Sequence, residues 1–280
     1  MSRIAQQFQA LKRHRRSALV PFIMAGDPEP WVTVPLMHAL VKSGADVLEL
    51  GVPFSDPMAD GPVIQRAAER ALKHKISLTR VLAMVREFRD KDKTTPVVLM
   101  GYLNPFEVMG YESFAQQAAT AGVDGVLTVD LPPEEAEPLR AALRSHELDT
   151  IFLLAPTSPP ERIKLIAEAA SGFIYYVSLR GVTGASHLDV REVAAKLKEI
   201  RSATKLPLGV GFGISSPETA AQVAEIADAV VVGSAVVKRM EDMAATPDKI
   251  LTEVPAFTAR LREAMDRATV VPQPVTGAKR

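Results

Sequence analysis

Short runs of β-branched and apolar residues recur along the chain, each closing on Gly, Pro, Asn or Asp. Each gives way to a stretch rich in Ala, Leu, Glu, Lys and Arg. The runs predict strands at Leu19–Met24, Val47–Leu50, Val97–Gly101, Gly125–Val129, Ile151–Leu154, Phe173–Ser178, Leu208–Val210 and Ala229–Val232. Helical stretches are centred on Val34–Val41, Ala67–Phe88, Tyr111–Ala121, Glu134–Leu143, Glu161–Ala169, Val190–Ile200 and Glu218–Ala224. A final helix is predicted through Phe257–Ala268. Such β/α alternation points to a parallel sheet with helical crossovers. Eight repeats close a barrel, for which about 250 residues is usual. The predicted fold is therefore α/β, a (β/α)8 TIM barrel. A doubly wound open sheet is the alternative, but it usually carries a Gly-rich fingerprint at its first strand-to-helix turn. Here that turn, Met24-Ala25-Gly26-Asp27-Pro28, has a single glycine.

Ile4, Phe8 and Leu11 space out as an amphipathic helix before the first strand. The cluster Lys12-Arg13-His14-Arg15-Arg16 has the basic character of a targeting peptide. A strand-like run follows directly, so we read an additional N-terminal helix that covers the barrel floor. Residues 1–268 read as one barrel domain, and 269–280, without periodicity, as a disordered tail. Composition narrows the function. Lysine plus arginine and aspartate plus glutamate both number 33, giving zero net charge, which argues against nucleic acid as the main partner. Cysteine is absent, excluding a disulfide scaffold and a thiolate metal site. No apolar run is long enough to span a bilayer, and a cytoplasmic enzyme is the expectation.

Barrel chemistry gathers on the loops after the strands. The second such turn is long and runs Glu49-Leu50-Gly51-Val52-Pro53-Phe54-Ser55-Asp56-Pro57-Met58-Ala59-Asp60-Gly61-Pro62. Strand alternation gives Leu48 and Leu50 to the helix layer and turns Glu49 into the barrel mouth. A carboxylate there either pairs with a cation or carries a raised pKa suited to acid/base work. Asp60 is its companion. The turns Arg180–Ser186, Gly211–Glu218 and Val232–Ala235 close the chain's last three strands with glycines and helix starts. They predict a phosphate cradle of backbone amides, with the 180–186 segment a mobile loop. Phe22, Met100, Leu127, Tyr175 and Phe212 are candidates for a flat apolar slot; each is equally readable as core. The histidines (His14, His38, His74, His146, His187) show no metal-ligand spacing, and three of them read as lying inside helices. No lysine ends a strand to serve as a Schiff-base nucleophile, and no Gly-Xaa-Ser-Xaa-Gly elbow occurs.

The chain resembles the tryptophan synthase alpha chain family in order from about Ile4 to Ala268. The similarity is carried by the long second turn and by Met24–Pro28, Met100-Gly101-Tyr102-Leu103-Asn104-Pro105 and Asp130-Leu131-Pro132-Pro133-Glu134. It continues through Tyr175–Ser178, Gly181-Val182-Thr183-Gly184 and Gly209–Ile214. The resemblance implies retro-aldol cleavage of indole-3-glycerol phosphate to indole and glyceraldehyde 3-phosphate. Glu49 would move protons and Asp60 would accept the indole N–H. Thr183, Gly184, Gly213, Gly233 and Ser234 would bind substrate, with Tyr175 and Phe212 beside the ring. It implies no cofactor in this chain, a pyridoxal-phosphate β chain as partner and an α2β2 heterotetramer. Asp56, Asn104, Pro132 and the 181–186 loop match contact and gating regions. Lys75 stands where a helix-end glycine is expected, and Arg180 where a small or hydroxyl residue is. A phosphosugar isomerase or epimerase, a non-catalytic regulatory subunit and a standalone lyase are the competing readings.

Overall fold

Strand alternation and closure are both realised. In the computed structural model, which describes residues 1–178, 189–211 and 213–269, eight parallel strands close in chain order. They are β1 (Ala18–Met24), β2 (Leu48–Gly51), β3 (Val97–Gly101), β4 (Gly125–Thr128), β5 (Asp149–Leu154), β6 (Ile174–Val177), β7 (Leu208–Gly211) and β8 (Ala229–Val232), with β8 pairing back onto β1. The two faces of each strand split the core. Ala18, Val20, Val47, Val98, Leu127, Ile151, Phe173, Tyr175, Ala229 and Val231 fill the barrel interior. Leu19, Leu48, Leu50, Leu99, Val126 and Val230 pack outward under the helices. Both layers are apolar, as strands buried on two faces require.

The helices are α1 (Arg3–Arg13), α2 (Pro30–Lys42), α3 (Pro62–Lys73), α4 (Leu78–Lys91), α5 (Leu103–Met109), α6 (Tyr111–Ala121), α7 (Glu137–Ser145), α8 (Pro160–Ala169), α9 (Val190–Ala203), α10 (Pro217–Ala224), α11 (Ser234–Asp242) and α12 (Ile250–Thr269). Helix α1 is capped by the Ser2 hydroxyl and buries Ile4, Phe8 and Leu11. It closes the barrel floor, with the Phe8 ring 5.7 Å from that of Phe173.

Two expectations are corrected, and one unassigned segment is filled. The single stretch Ala67–Phe88 is two helices: α3 ends at Lys73 with His74 as its C-cap, Lys75 adopts φ 54°, and Ser77 caps α4. Helix α5 occupies a segment for which the sequence predicts no element; Pro105 falls in its first turn, where proline is tolerated. His74 and His146 are C-caps rather than interior helix residues. Arg180, Thr183, Gly184, His187, Phe212 and the tail from 270 onward lie outside the described residues.

Candidate active site

Glu49 is the second residue of β2, which pairs it with Phe22 of β1 and Val98 of β3. Its neighbours on the same face are apolar, so it is only 2% exposed. Its Oε1 has no hydrogen-bond partner among the described residues. Burial, and secondarily the charge of Asp60, push its pKa up to about 8. No described cation offsets this, so the free protein holds Glu49 as a neutral acid at pH 7.

Asp60 sits at the end of the second turn, two residues before α3. Its backbone is fixed twice: its N–H donates to the Pro57 carbonyl at 3.1 Å, and its carbonyl accepts from Gln65 Nε2 at 2.9 Å. Burial raises its pKa to about 6, opposed by a hydrogen bond from the Tyr102 hydroxyl. Asp60 therefore stays largely ionised at neutral pH. Tyr102, at the end of β3, is buried and its hydroxyl also accepts from the Ala59 N–H at 2.9 Å. Burial and the adjacent Asp60 charge push that phenol up to about 12. Tyr102 thus anchors the turn after β2, a role the linear chain did not disclose because the contact joins the ends of two strands. Its only signal was a place within the Met100–Pro105 motif.

Leu127 on β4 and Tyr175 on β6 belong to the interior cluster, Met100 on β3 packs against it, and Phe22 on β1 is paired in register with Glu49. A small pocket beside Asp60 is lined by Phe22, Met24, Met100, Tyr102 and Val129; Leu127 and Tyr175 are not among its walls. Tyr175 is fully buried, and burial plus the nearby Glu49 hold its hydroxyl protonated. That hydroxyl lies where a side chain on Gly211 would be: a Cβ there would fall 2.1 Å from it. Leu127 is 0% exposed and belongs to the packed interior at least as much as to a slot wall.

The turns after β7 and β8 hold the residues expected to form a phosphate cradle. Gly213 follows β7 at φ +75°, the left-handed region glycine favours. Ser216 caps α10 by accepting from Thr219 N–H, with Pro217 in the first turn. Gly233 caps α11, its carbonyl accepting from Val236 and Val237, so the Gly233 and Ser234 amides stand at a helix N-terminus. The first amides of a helix lack intrahelical acceptors and carry partial positive charge.

A buried carboxyl with a raised pKa, a second carboxyl beside a phenol and two helix N-termini at the mouth of a parallel barrel are an arrangement suited to acid/base chemistry on a small anionic molecule. The family model described as Tryptophan synthase alpha chain matches residues 8–266, and the chain belongs to that family. It is 64% identical over 266 residues to the tryptophan synthase alpha chain of Nitrosococcus oceani, covering 95% of this chain and 98% of the relative. Against that of Thioalkalivibrio sulfidiphilus it is 62% identical, covering 95% and 100%. A crystal structure of tryptophan synthase subunit alpha from Legionella pneumophila superposes with a TM-score of 0.89 at 50% identity, over 95% of this chain and 99% of that one. A crystal structure of tryptophan synthase from M. tuberculosis in an aminoacrylate-bound form contains a chain matching at TM-score 0.84 and 36% identity, over 95% and 100%.

Proposed function

We propose that Glu49 is the proton-transfer group and Asp60 the charge-stabilising group of the family's lyase reaction. That reaction cleaves indole-3-glycerol phosphate to indole and glyceraldehyde 3-phosphate in tryptophan biosynthesis. The observation that carries the division of labour is the separation of the two carboxyls' environments: about 8 for Glu49 and about 6 for Asp60. Two acids held apart in this way are suited to opposite roles. Neutral Glu49 delivers its proton to indole C3, which leaves positive charge on the ring nitrogen. Ionised Asp60 accepts the indole N–H and stabilises that charge. The Glu49 carboxylate then takes the proton of the side-chain hydroxyl. The carbon–carbon bond breaks, its electron pair returns to the ring, and an aldehyde forms. Glu49 ends protonated again, so the cycle closes without a net proton change.

The protonated ring is itself the electron sink, so the step calls on no cofactor from this chain. We assign pyridoxal phosphate to the β chain with which the family assembles, and infer an α2β2 heterotetramer. Asp56 and Asn104 are exposed and Pro132 half-buried at the mouth face, alongside the exposed Met58 and Val108. This supports that face as the docking surface. Gly213, Gly233 and Ser234 are assigned to the phosphate, and Phe22, Met100, Leu127 and Tyr175 to the indole slot. Thr183, Gly184 and Phe212 are assigned to the substrate from their motifs alone. No helix among the described residues is long and apolar enough to cross a membrane, and a cytoplasmic location is inferred from the soluble substrate. The test is indole release by Glu49→Gln. Loss of a positioned acid/base lowers turnover by roughly 10²–10⁴-fold; near wild-type turnover in a folded variant would refute the assignment.

A further inference from the structure

The two groups that grip opposite ends of the substrate come from different strands. Asp60 follows β2, and the Gly233–Ser234 cradle follows β8, with β1 between them in the barrel. Helix α3 joins the two through a chain of polar contacts. At its start, Gln65 Nε2 donates to the Asp60 carbonyl at 2.9 Å. One residue on, Arg66 Nε and Nη2 donate to the two carboxylate oxygens of Glu241 at 2.5 and 3.0 Å. A turn later, Arg70 Nη1 reaches Glu241 Oε1 at 3.2 Å, while its Nε and Nη2 fork onto Asp27 at 2.6 and 3.0 Å. Glu241 lies on α11, the helix whose N-terminus is the cradle. Asp27 is 0% exposed, in the turn after β1.

We propose that Arg70, with Arg66 and Glu241, is a positioning clamp that sets the distance between Asp60 and the phosphate cradle. The proposal rests on the site assignments above. Helices α3 and α11 are rigid struts, and a planar guanidinium fork fixes both angle and distance where a lysine would fix neither. Burial favours neutral Asp27, but the Arg70 hydrogen bonds and charge oppose that shift. The fork therefore ties α3 to the β1 turn as well as to α11. Substrate spans the two ends, and misplacement by about 1 Å costs on the order of 10²-fold in such geometries.

A linked ligand reads that distance, whereas its halves do not. The experiment measures binding of inorganic phosphate, of indole, and of indole-3-propanol phosphate, which carries both groups but no hydroxyl to react. The proteins are wild type, Glu241→Gln and Arg70→Lys. Glu241→Gln leaves the buried Arg70–Asp27 pair intact and so keeps a folded reference. We expect each half to weaken by less than about threefold, and the linked ligand by about tenfold or more, because linkage gains depend on matched geometry. The rate of indole-3-glycerol phosphate cleavage should fall with the linked ligand's affinity. Parallel loss for all three ligands, or a lower melting temperature with the linked affinity unchanged, would make the network merely structural and overturn the proposal. Should wild type bind neither half in competition with the linked ligand, the site assignment itself would fail, and the clamp with it.

Discussion

Glu49 is a carboxyl whose protonation the fold controls, and that control has a thermodynamic consequence. Its pKa is about 8 in the folded protein against 4.5 unfolded. Between those values the folded state binds the extra proton, so this group's contribution to stability is complete below pH 4.5. It is lost progressively as pH rises through about 8. Glu49→Gln removes the loss. The variant should be more stable than wild type at pH 9, by an amount on the order of a few kcal/mol, and the gap should close towards pH 5. Urea midpoints across that range measure it; a gap independent of pH would contradict the raised pKa. Because the Asp60 charge is one cause of the shift, Asp60→Asn should lower the Glu49 pKa, read by carbon NMR of labelled carboxyls. Tyr102→Phe should raise that of Asp60, since the phenol stabilises its ionised form. The inward aim of Glu49 was legible from Leu48 and Leu50 alone, since alternation leaves one choice. The environment that separates the two carboxyls was not, because Tyr102 and Met100 arrive from another strand.

Among the elements, the strands were the most legible, since a buried parallel strand announces itself as an apolar run between turn residues. The break between α3 and α4 was hidden by a residue identity. Helix ends of this geometry usually place glycine in the left-handed conformation, and here Lys75 holds φ 54°. The family resemblance marked this position as a helix end with its glycine missing, whereas the apolar periodicity of the run read straight through it. An L-residue in that region costs about 1–2 kcal/mol, partly offset in glycine by its greater unfolded freedom. Lys75→Gly should therefore stabilise the protein by roughly 0.5–1 kcal/mol, measured by equilibrium unfolding, with indole release unaltered. Helix α5 was obscured in the opposite way, by a proline that signals a loop in sequence yet sits harmlessly in a first turn. The α3–α11 ion network was wholly illegible, because Arg66 and Arg70 meet Glu241 across more than 170 residues of chain, and Arg70 meets Asp27 across 43.

The barrel as a unit separates what keeps it folded from what makes it work. At the mouth stand the Glu49 oxygen, without a hydrogen-bond partner among the described residues, and the two carboxyls with raised pKa, both unfavourable for stability on their own. At the floor, α1 lays Ile4, Phe8 and Leu11 over the open end, and the Phe8 ring packs tilted against Phe173 in the interior cluster. Conserving the floor serves packing, whereas the strand C-terminal ends serve chemistry. The two ends can then be uncoupled by substitution. Phe8→Ala removes a nearly buried ring from the end of the barrel opposite Glu49, and should cost about 3 kcal/mol or more through lost burial and the cavity left behind. Its KM for indole-3-glycerol phosphate should stay at the wild-type value below the new melting temperature. Gly213→Asp should do the reverse. It places a charged side chain where the backbone has φ +75°, beside the assigned phosphate, and so should weaken binding of a phosphate-bearing analogue far more than strain at one residue lowers stability. Measuring both variants for melting temperature and analogue affinity gives a crossed pattern if the division holds. Equal losses of affinity in the two would mean that the floor shapes the mouth, and unchanged affinity in Gly213→Asp would remove the cradle from the β7 turn.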